Sequence, residues 1–357
     1  MPTAQNSERA SIVLTKLKIL RDYLNDDNLF EIVINRPSEV IVEGPNGWQT
    51  HTIKELTYSE LEGIAKVVAA YTTQKISVEN PVLSATLPNN ERIQIVMPPA
   101  AAPNTISMTI RKPSSRTFSL ESLHENQLFS VTRNVSFTPL EQMKKRAGEL
   151  SDTEKELTDL FIAKDFCKFL ARAVITQQNI LISGKTGSGK TTLSKALIAK
   201  IPDYERILTI EDTPELVVPH SNKVQLFYSK DNQGLAKAGA KELLESGLRM
   251  RPNRILLQEL RYGTAFYYIR NVNSGHPSSI TTVHASTALS AFEQMTLLVK
   301  ESDGGGNLAR EDIHGLLISM IDVIIQCKRL EGKFRVTEIY YDPFKRRNAL
   351  KKKRKVE

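Results

Sequence analysis

Eight consecutive residues have the types and spacing of a phosphate-binding loop. The segment Gly184-Lys-Thr-Gly-Ser-Gly-Lys-Thr191 is a complete Walker A pattern, and it lies between an apolar run typical of a buried strand and apolar residues at helical spacing. Its glycines allow the backbone to direct N–H groups at phosphate oxygens, and the following helix adds the positive end of its dipole. Lys190 would reach the β- and γ-phosphates, and the Thr191 hydroxyl would bind Mg²⁺.

The agreement of motif and context predicts a site for ATP and Mg²⁺, and it disfavours a glycine-rich turn that binds nothing. The residues predicted to bind the nucleotide in this loop are Gly184, Lys185, Thr186, Gly187, Ser188, Gly189, Lys190, Thr191 and Thr192.

Acidic residues follow two of the predicted strands. The run 207–210 leads into Glu211 and Asp212, and the run 255–257 leads through Gln258 into Glu259. Open α/β folds place ligands at the carboxyl edge of the sheet, and hydrolysis needs acids near the metal and the attacking water. We predict Glu259 as a metal ligand and Glu211 as the residue that orients or deprotonates water, although the two roles are exchangeable. For Asp212, the alternative to a role in the site is that it starts the turn after the strand.

Two histidines, His276 and His284, stand eight residues apart around a β-prone run. Because both lie at predicted strand ends, we predict a γ-phosphate sensor, with His284 as the catalytic candidate. The alternative is a pair of ordinary core or turn histidines. No third residue at suitable spacing accompanies them, so metal binding is disfavoured.

The hydrophobic pattern predicts two domains. Short β-type runs and one helix predict an α+β domain over residues 1–135, and low apolar density with crowded charges predicts a linker over 136–156. From 157 to 343, apolar strands alternate with helices, which predicts an α/β domain with a mostly parallel, doubly wound sheet. A basic tail occupies 344–357.

The net charge of +8 is concentrated in the tail. Residues 345–357 contain eight basic residues and one acidic residue, so they carry +7 and the rest of the chain +1. We therefore predict no specific nucleic-acid binding. The segment 351–356 resembles a nuclear import signal, but contact with anionic lipid or a solvated end explains it more simply. The polar, mixed-charge start lacks the order of a secretory signal, which predicts a cytoplasmic protein.

The ordered motifs resemble those of the secretion ATPase superfamily, and specifically the type IV secretion ATPases of the VirB-eleven type. The matching segments in the second domain are the loop 184–191, the acidic box 210–215, the Walker B segment 248–261 and the histidine box 275–285. In the first domain, 90–99 and 105–113 also resemble that family. The resemblance covers roughly residues 20 to 343. Gln258 departs from the usual glycine, and Pro277-Ser278 departs from a pair containing glycine.

The resemblance implies a RecA-like P-loop domain and a homohexameric ATP hydrolase that drives pilus assembly and substrate transfer. It also implies a position at the cytoplasmic face of the inner membrane, in contact with a partner ATPase and inner-membrane components. Arg92 and Arg111 would approach the phosphates from the first domain, which makes Arg111 a catalytic candidate. Without the resemblance, both are ordinary surface arginines of a sheet.

Two other classes of motor share features with this sequence. The motors of type II secretion and of type IV pili carry the same four boxes, although extension-type motors often have a paired CxxC module and this chain has only Cys167 and Cys327. A nucleic-acid-translocating P-loop motor is a more distant alternative, and the nearly neutral body of the chain argues against it.

Overall fold

The computed structural model describes residues 4–113, 117–228, 238–261, 264–273, 278–302 and 304–353. The chain divides into two compact units, and the first gives way to the second near residue 115. Within the described ranges, none of the helices combines the length and the apolar character that a membrane crossing requires.

The first unit is a six-stranded antiparallel sheet in the order β3-β2-β1-β6-β5-β4, packed against helices. Its helices are α1 (Ala4–Lys16), α2 (Arg21–Asn25) and α3 (Tyr58–Tyr71), and its strands are β1 (Glu31–Ile34), β2 (Glu39–Gly44), β3 (Gly47–Thr52), β4 (Val82–Thr86), β5 (Arg92–Val96) and β6 (Ser107–Arg111). The Thr57 hydroxyl caps α3 by accepting a hydrogen bond from Glu60 N. The α+β class is confirmed.

The second unit contains a mostly parallel sheet with helices. Its helices are α4 (Leu120–Glu125), α5 (Leu140–Lys145), α6 (Asp152–Ile162), α7 (Phe166–Ile175), α8 (Lys190–Ile198), α9 (Ala240–Leu248), α10 (Thr264–Asn273), α11 (Ser290–Lys300), α12 (Arg310–Met320) and α13 (Pro343–Lys353). Its strands are β7 (Arg133–Val135), β8 (Ile180–Gly184), β9 (Ile207–Glu211), β10 (Lys223–Phe227), β11 (Arg254–Leu257), β12 (Ile280–Val283), β13 (Val323–Leu330) and β14 (Lys333–Tyr341).

The strands of the second unit form two ordered groups, β10-β9-β11 and β12-β8-β13-β14-β7. Among the residues that the structure describes, a bridge between Glu259 and Thr282 joins β11 to β12. Successive residues of β8 enter different cores, since Ile180 and Ile182 pack in one hydrophobic cluster and Leu181 in the other. The sheet is therefore covered on both faces, as a doubly wound α/β fold requires.

The boundary between the units lies earlier than the predicted position at residue 135. Leu120 and Phe129 pack in the core of the second unit, and β7 pairs with β14. The predicted linker 136–156 contains α5, whose Met143 is fully buried. Apolar residues are sparse in this stretch, so the sequence pattern did not reveal the few that are buried. The predicted tail likewise begins inside the fold, because Phe344 on α13 is buried.

Candidate active site

The phosphate loop connects the end of β8 to the first turn of α8. Every residue of β8 is buried, and α8 begins at Lys190. Gly187 and Gly189 have φ values of +69° and +90°, which favour glycine. Gly184 is required for space, because an added Cβ would collide with the Ser188 hydroxyl and the backbone oxygen of Cys327. The backbone conformation of the loop thus depends on the glycines of the motif.

The side chains of this loop fit a polyphosphate. Lys190 is buried, and its Nζ donates to the backbone oxygens of Gly184 at 2.8 Å and Lys185 at 3.0 Å. The Ser188 Oγ is also buried, and no hydrogen-bond partner for it lies among the described residues. An ammonium group and an unsatisfied hydroxyl in a loop of left-handed glycines are donors suited to phosphate. Thr191, half-buried on the first turn of α8, offers a hydroxyl oxygen of the kind that Mg²⁺ binds.

Glu259 forms the centre of a charged cluster after β11. Its Oε2 lies 2.5 Å from Nη2 of Arg261, and its Oε1 lies 2.6 Å from Nε2 of His284. Burial opposes ionisation of Glu259, but the hydrogen bonds and charges of His284 and Arg261 outweigh it and lower the pKa of this carboxyl to about 2. Glu259 is therefore a carboxylate at neutral pH. His276, the other histidine of the predicted box, lies outside the described residues.

Glu211 lies at the end of β9 and is completely buried. Its Oε2 accepts hydrogen bonds from the backbone N–H groups of Glu215 at 2.9 Å and Leu216 at 2.8 Å, and its Oε1 accepts from Thr209 Oγ1 at 2.7 Å and Gln225 Nε2 at 3.3 Å. Burial raises the pKa of this carboxyl, and the hydrogen bonds offset the rise only in part. The carboxyl therefore also fixes the turn that follows it.

The parallel strands bring these groups to one edge of the sheet. β11 pairs with β9, the bridge from Glu259 leads to β12, and β12 pairs with β8. The order along this edge is Glu211, Glu259, His284 and the phosphate loop. Neighbouring strands lie ~4.8 Å apart, so Glu259 is one strand nearer to the loop than Glu211.

The two arginines predicted from the first domain lie together in the first unit. Arg92 begins β5 and Arg111 ends β6, and the two are register partners on adjacent strands. Register partners project from the same face of a sheet, so the side chains of Arg92 and Arg111 leave one face side by side. Glu31 is the register partner of Arg111 on β1.

Three partners of the predicted acids were not identified from the sequence as functional residues. Arg261 stands two residues after Glu259, and side chains two residues apart on an extended chain project to the same side, so this spacing could have indicated the contact. Thr209 has the same spacing before Glu211. Gln225 on β10 lies fourteen residues away in sequence, and only the pairing of β10 with β9 brings it near.

Comparison with known proteins gives the family. A family model described as "Type II/IV secretion system protein" matches residues 15–335. The type IV secretion system protein VirB11 of Bartonella henselae is 70% identical over 343 residues, covering 96% of both chains. The crystal structure of the VirB11 ATPase of Brucella suis, determined with sulphate, matches with a TM-score of 0.53 and 39% identity, covering 97% of this chain and 99% of that one. The chain belongs to the VirB11 family.

Membership in the VirB11 family makes the chain a type IV secretion ATPase and confirms the α/β class with its nucleotide-binding domain. The pilus retraction motor PilT, crystallised with ADP, has a TM-score of 0.57 at 17% identity, covering 95% of this chain and 88% of that one. At that identity the likeness shows a common fold alone. The family relationship therefore favours type IV secretion over the pilus-motor alternative.

Proposed function

We propose that this secretion ATPase works as a ring of six subunits that binds ATP with Mg²⁺ at residues 184–192 and hydrolyses it at the carboxyl edge of the second unit. The charged cluster of Glu259, Arg261 and His284 carries the proposal, since Glu259 lies two strands from the phosphate loop along that edge and His284 lies one strand from it. It provides an ionised carboxylate that contacts a guanidinium through one oxygen and an imidazole through the other.

Each residue has a distinct role in this proposal. Lys190 exchanges its backbone partners for the β- and γ-phosphates, and Thr191 and Glu259 hold Mg²⁺, which supplies neutralisation of phosphate charge when bound. His284 responds to the γ-phosphate, because its contact with Glu259 couples it to the metal side of the site. Glu211 orients the attacking water, and its raised pKa suits a group that accepts a proton.

The proposal also covers how the subunits assemble and what the ring contacts. Arg92 and Arg111 of the first unit complete a nucleotide site in the ring, since their shared face offers paired guanidinium groups to an anion. We place the ring at the cytoplasmic face of the inner membrane, in contact with another secretion ATPase and inner-membrane components. The basic end of the chain contacts anionic lipid. Electron microscopy of the purified chain with ATP should show sixfold rings, and monomers at all nucleotide concentrations would contradict this assembly.

The variant Lys190→Ala tests the chemistry. We expect it to lose ATP hydrolysis in a phosphate-release assay, because the loop then lacks its ammonium group. The matched control is Lys155→Ala, which removes an exposed lysine of α6 and should keep wild-type turnover. Circular dichroism checks that both variants are folded. Wild-type turnover by folded Lys190→Ala would refute the assignment of the site.

A further inference from the structure

The hairpin of β13 and β14 extends past the end of β8 on the side of the phosphate loop. Cys327 of β13 is the register partner of Gly184, the last residue of β8. β13 continues to Leu330, and the chain returns through Gly332, whose φ of +77° favours glycine. The tip of the hairpin therefore lies beyond the sheet edge from which the phosphate loop emerges.

Phe334 of this hairpin packs directly on the phosphate loop. A methyl group added to Gly189 would lie 3.0 Å from Cγ and 3.2 Å from Cβ of Phe334. Arg329, the register partner of Phe334, holds its guanidinium carbon 5.9 Å from the ring centroid, within the range of a cation–π contact. The ring is thus held between the hairpin and the last glycine of the loop.

Phe334 nevertheless keeps 40% of its surface exposed. A single exposed aromatic residue is common on protein surfaces and alone indicates nothing. Phe334 differs because it contacts Gly189, the residue before Lys190, and so lies beside the predicted phosphate-binding residues. The hairpin tip also carries a net charge of +3, which favours the approach of a polyphosphate. The charged residues of the tip are Lys328, Arg329, Glu331, Lys333 and Arg335.

We propose that Phe334 is the base-stacking residue of the nucleotide site, so that the purine of a nucleotide bound at residues 184–192 lies against its ring. The inference rests on the proposed nucleotide site and names the residue that recognises the part of the ligand outside the phosphate loop. Because every base presents a π-face, stacking on Phe334 raises affinity without selecting adenine over guanine.

The test separates the base from the phosphates. Calorimetric titration of the full-length chain with ATP, ADP and inorganic tripolyphosphate compares wild type with Phe334→Ala. We expect about tenfold weaker binding of ATP and ADP, in line with the loss of one base–aromatic stack. Tripolyphosphate has no base, and its affinity should stay within about twofold of wild type. Tyr204→Ala is the control, since Tyr204 is 84% exposed and precedes the amino end of β9.

A second variant reports stacking directly. Trp48 is the only tryptophan, so Phe334→Trp in a Trp48→Phe background places the sole indole at the hairpin. We expect this protein to keep near-wild-type ATP affinity and to show fluorescence quenching by ADP but not by tripolyphosphate.

The other outcomes overturn the inference in distinguishable ways. Equal losses of ATP and tripolyphosphate affinity in Phe334→Ala would show that the ring merely supports the loop. Unchanged ATP affinity in Phe334→Ala would show that the base lies elsewhere. A wild-type chain that binds none of the three ligands would instead refute the nucleotide site itself.

Discussion

At the scale of single residues, the two carboxyls of the site differ in their response to pH. Glu259 has its pKa lowered to about 2, whereas burial raises the pKa of Glu211. A lowered pKa in the fold contributes stability that is present above the ordinary pKa and is lost as the pH falls toward the folded value. A raised pKa has the opposite effect, because its contribution is present at low pH and is lost as the pH rises.

We therefore predict that Glu259→Gln destabilises the chain most at neutral pH, by at most about 3 kcal/mol, and that this penalty shrinks below pH ~4.5. Thermal unfolding of wild type and variant between pH 4 and 7.5 measures it. Glu211→Gln is the matched comparison, and its penalty should shrink as the pH rises. Both variants should bind ATP and lose most hydrolysis. A pH-independent penalty for Glu259→Gln would show that its partners do not favour the ionised form.

The sequence predicted the backbone of the site better than its side-chain contacts. The glycines at 187 and 189 have the left-handed conformations that the motif requires, and Glu211 and Glu259 lie at one carboxyl edge as expected. The sequence did not show that Lys190 is buried or that Arg261 contacts Glu259. Those facts depend on rotamers and on packing between strands, which periodicity does not encode.

At the scale of elements, β8, β9 and β11 were predicted well because their runs are mostly apolar and are buried on both faces. β8, β9 and β11 show burial at every residue. The elements α4, β7 and α5, between residues 117 and 149, were missed because their buried residues are sparse. A single anchor such as Met143 in a charged helix leaves little periodic signal.

The helix α13 shows that the start of the basic tail belongs to the fold. Arg346 Nε lies 2.9 Å from Oδ1 of Asp322, which is buried, and Arg347 forms an ion pair with Glu154. Asp322 Oδ2 in turn accepts a hydrogen bond from the backbone N–H of Asn179, the residue before β8. Part of the tail's charge is thus used inside the second unit.

We predict that removing residues 345–357 destabilises the chain, whereas removing 351–357 does not. The chain without residues 345–357 leaves Asp322 without Arg346, which should lower the free energy of unfolding by about 2 kcal/mol. The loss is smaller than for a fully buried ion pair because the Arg346 side chain is 33% exposed. Differential scanning calorimetry of the two truncations measures this. Asp322→Asn in the shorter chain should recover part of the loss, since it removes the buried charge. Equal melting temperatures for both truncations would refute a structural role for α13.

The segment 351–357 remains the candidate for lipid contact. It holds five basic residues and one acidic residue. Each basic residue near an anionic surface contributes ~1 kcal/mol of binding free energy at low salt. The chain that lacks only residues 351–357 should therefore already bind phosphatidylserine vesicles more weakly than the full chain.

At the scale of the whole molecule, Arg111 tests whether the first unit takes part in catalysis. β6 ends at Arg111, and Arg92 lies beside it in register. An arginine that neutralises charge on the γ-phosphate is worth roughly 10³–10⁵ in rate. We predict that Arg111→Ala lowers hydrolysis at least about tenfold, the smaller effect reflecting partial substitution by Arg92. Lysine should rescue it poorly because it lacks the planar fork.

The measurement is steady-state ATPase activity on assembled rings, with assembly verified by light scattering. Arg36→Ala is a suitable control, since Arg36 is an exposed arginine of the same unit whose ion pair is local to Glu39. Near-normal turnover of Arg111→Ala in intact rings would confine catalysis to the second unit.

The joint between β11 and β12 has a mechanical consequence. Among the described residues, the two strands are joined by the bridge at Glu259 and Thr282, with hydrogen bonds from Leu260 N to Thr282 O at 2.8 Å and from Thr282 Oγ1 to Gln258 O at 3.0 Å. A full ladder elsewhere in the sheet distributes tension over many bonds. Here a shear force meets few bonds, and the contact between Glu259 and His284 crosses from β11 to β12 at the same place. Slippage between these two strands would pull the proposed metal ligand away from the proposed phosphate sensor, so a small shear of the sheet would be enough to change the chemistry of the site.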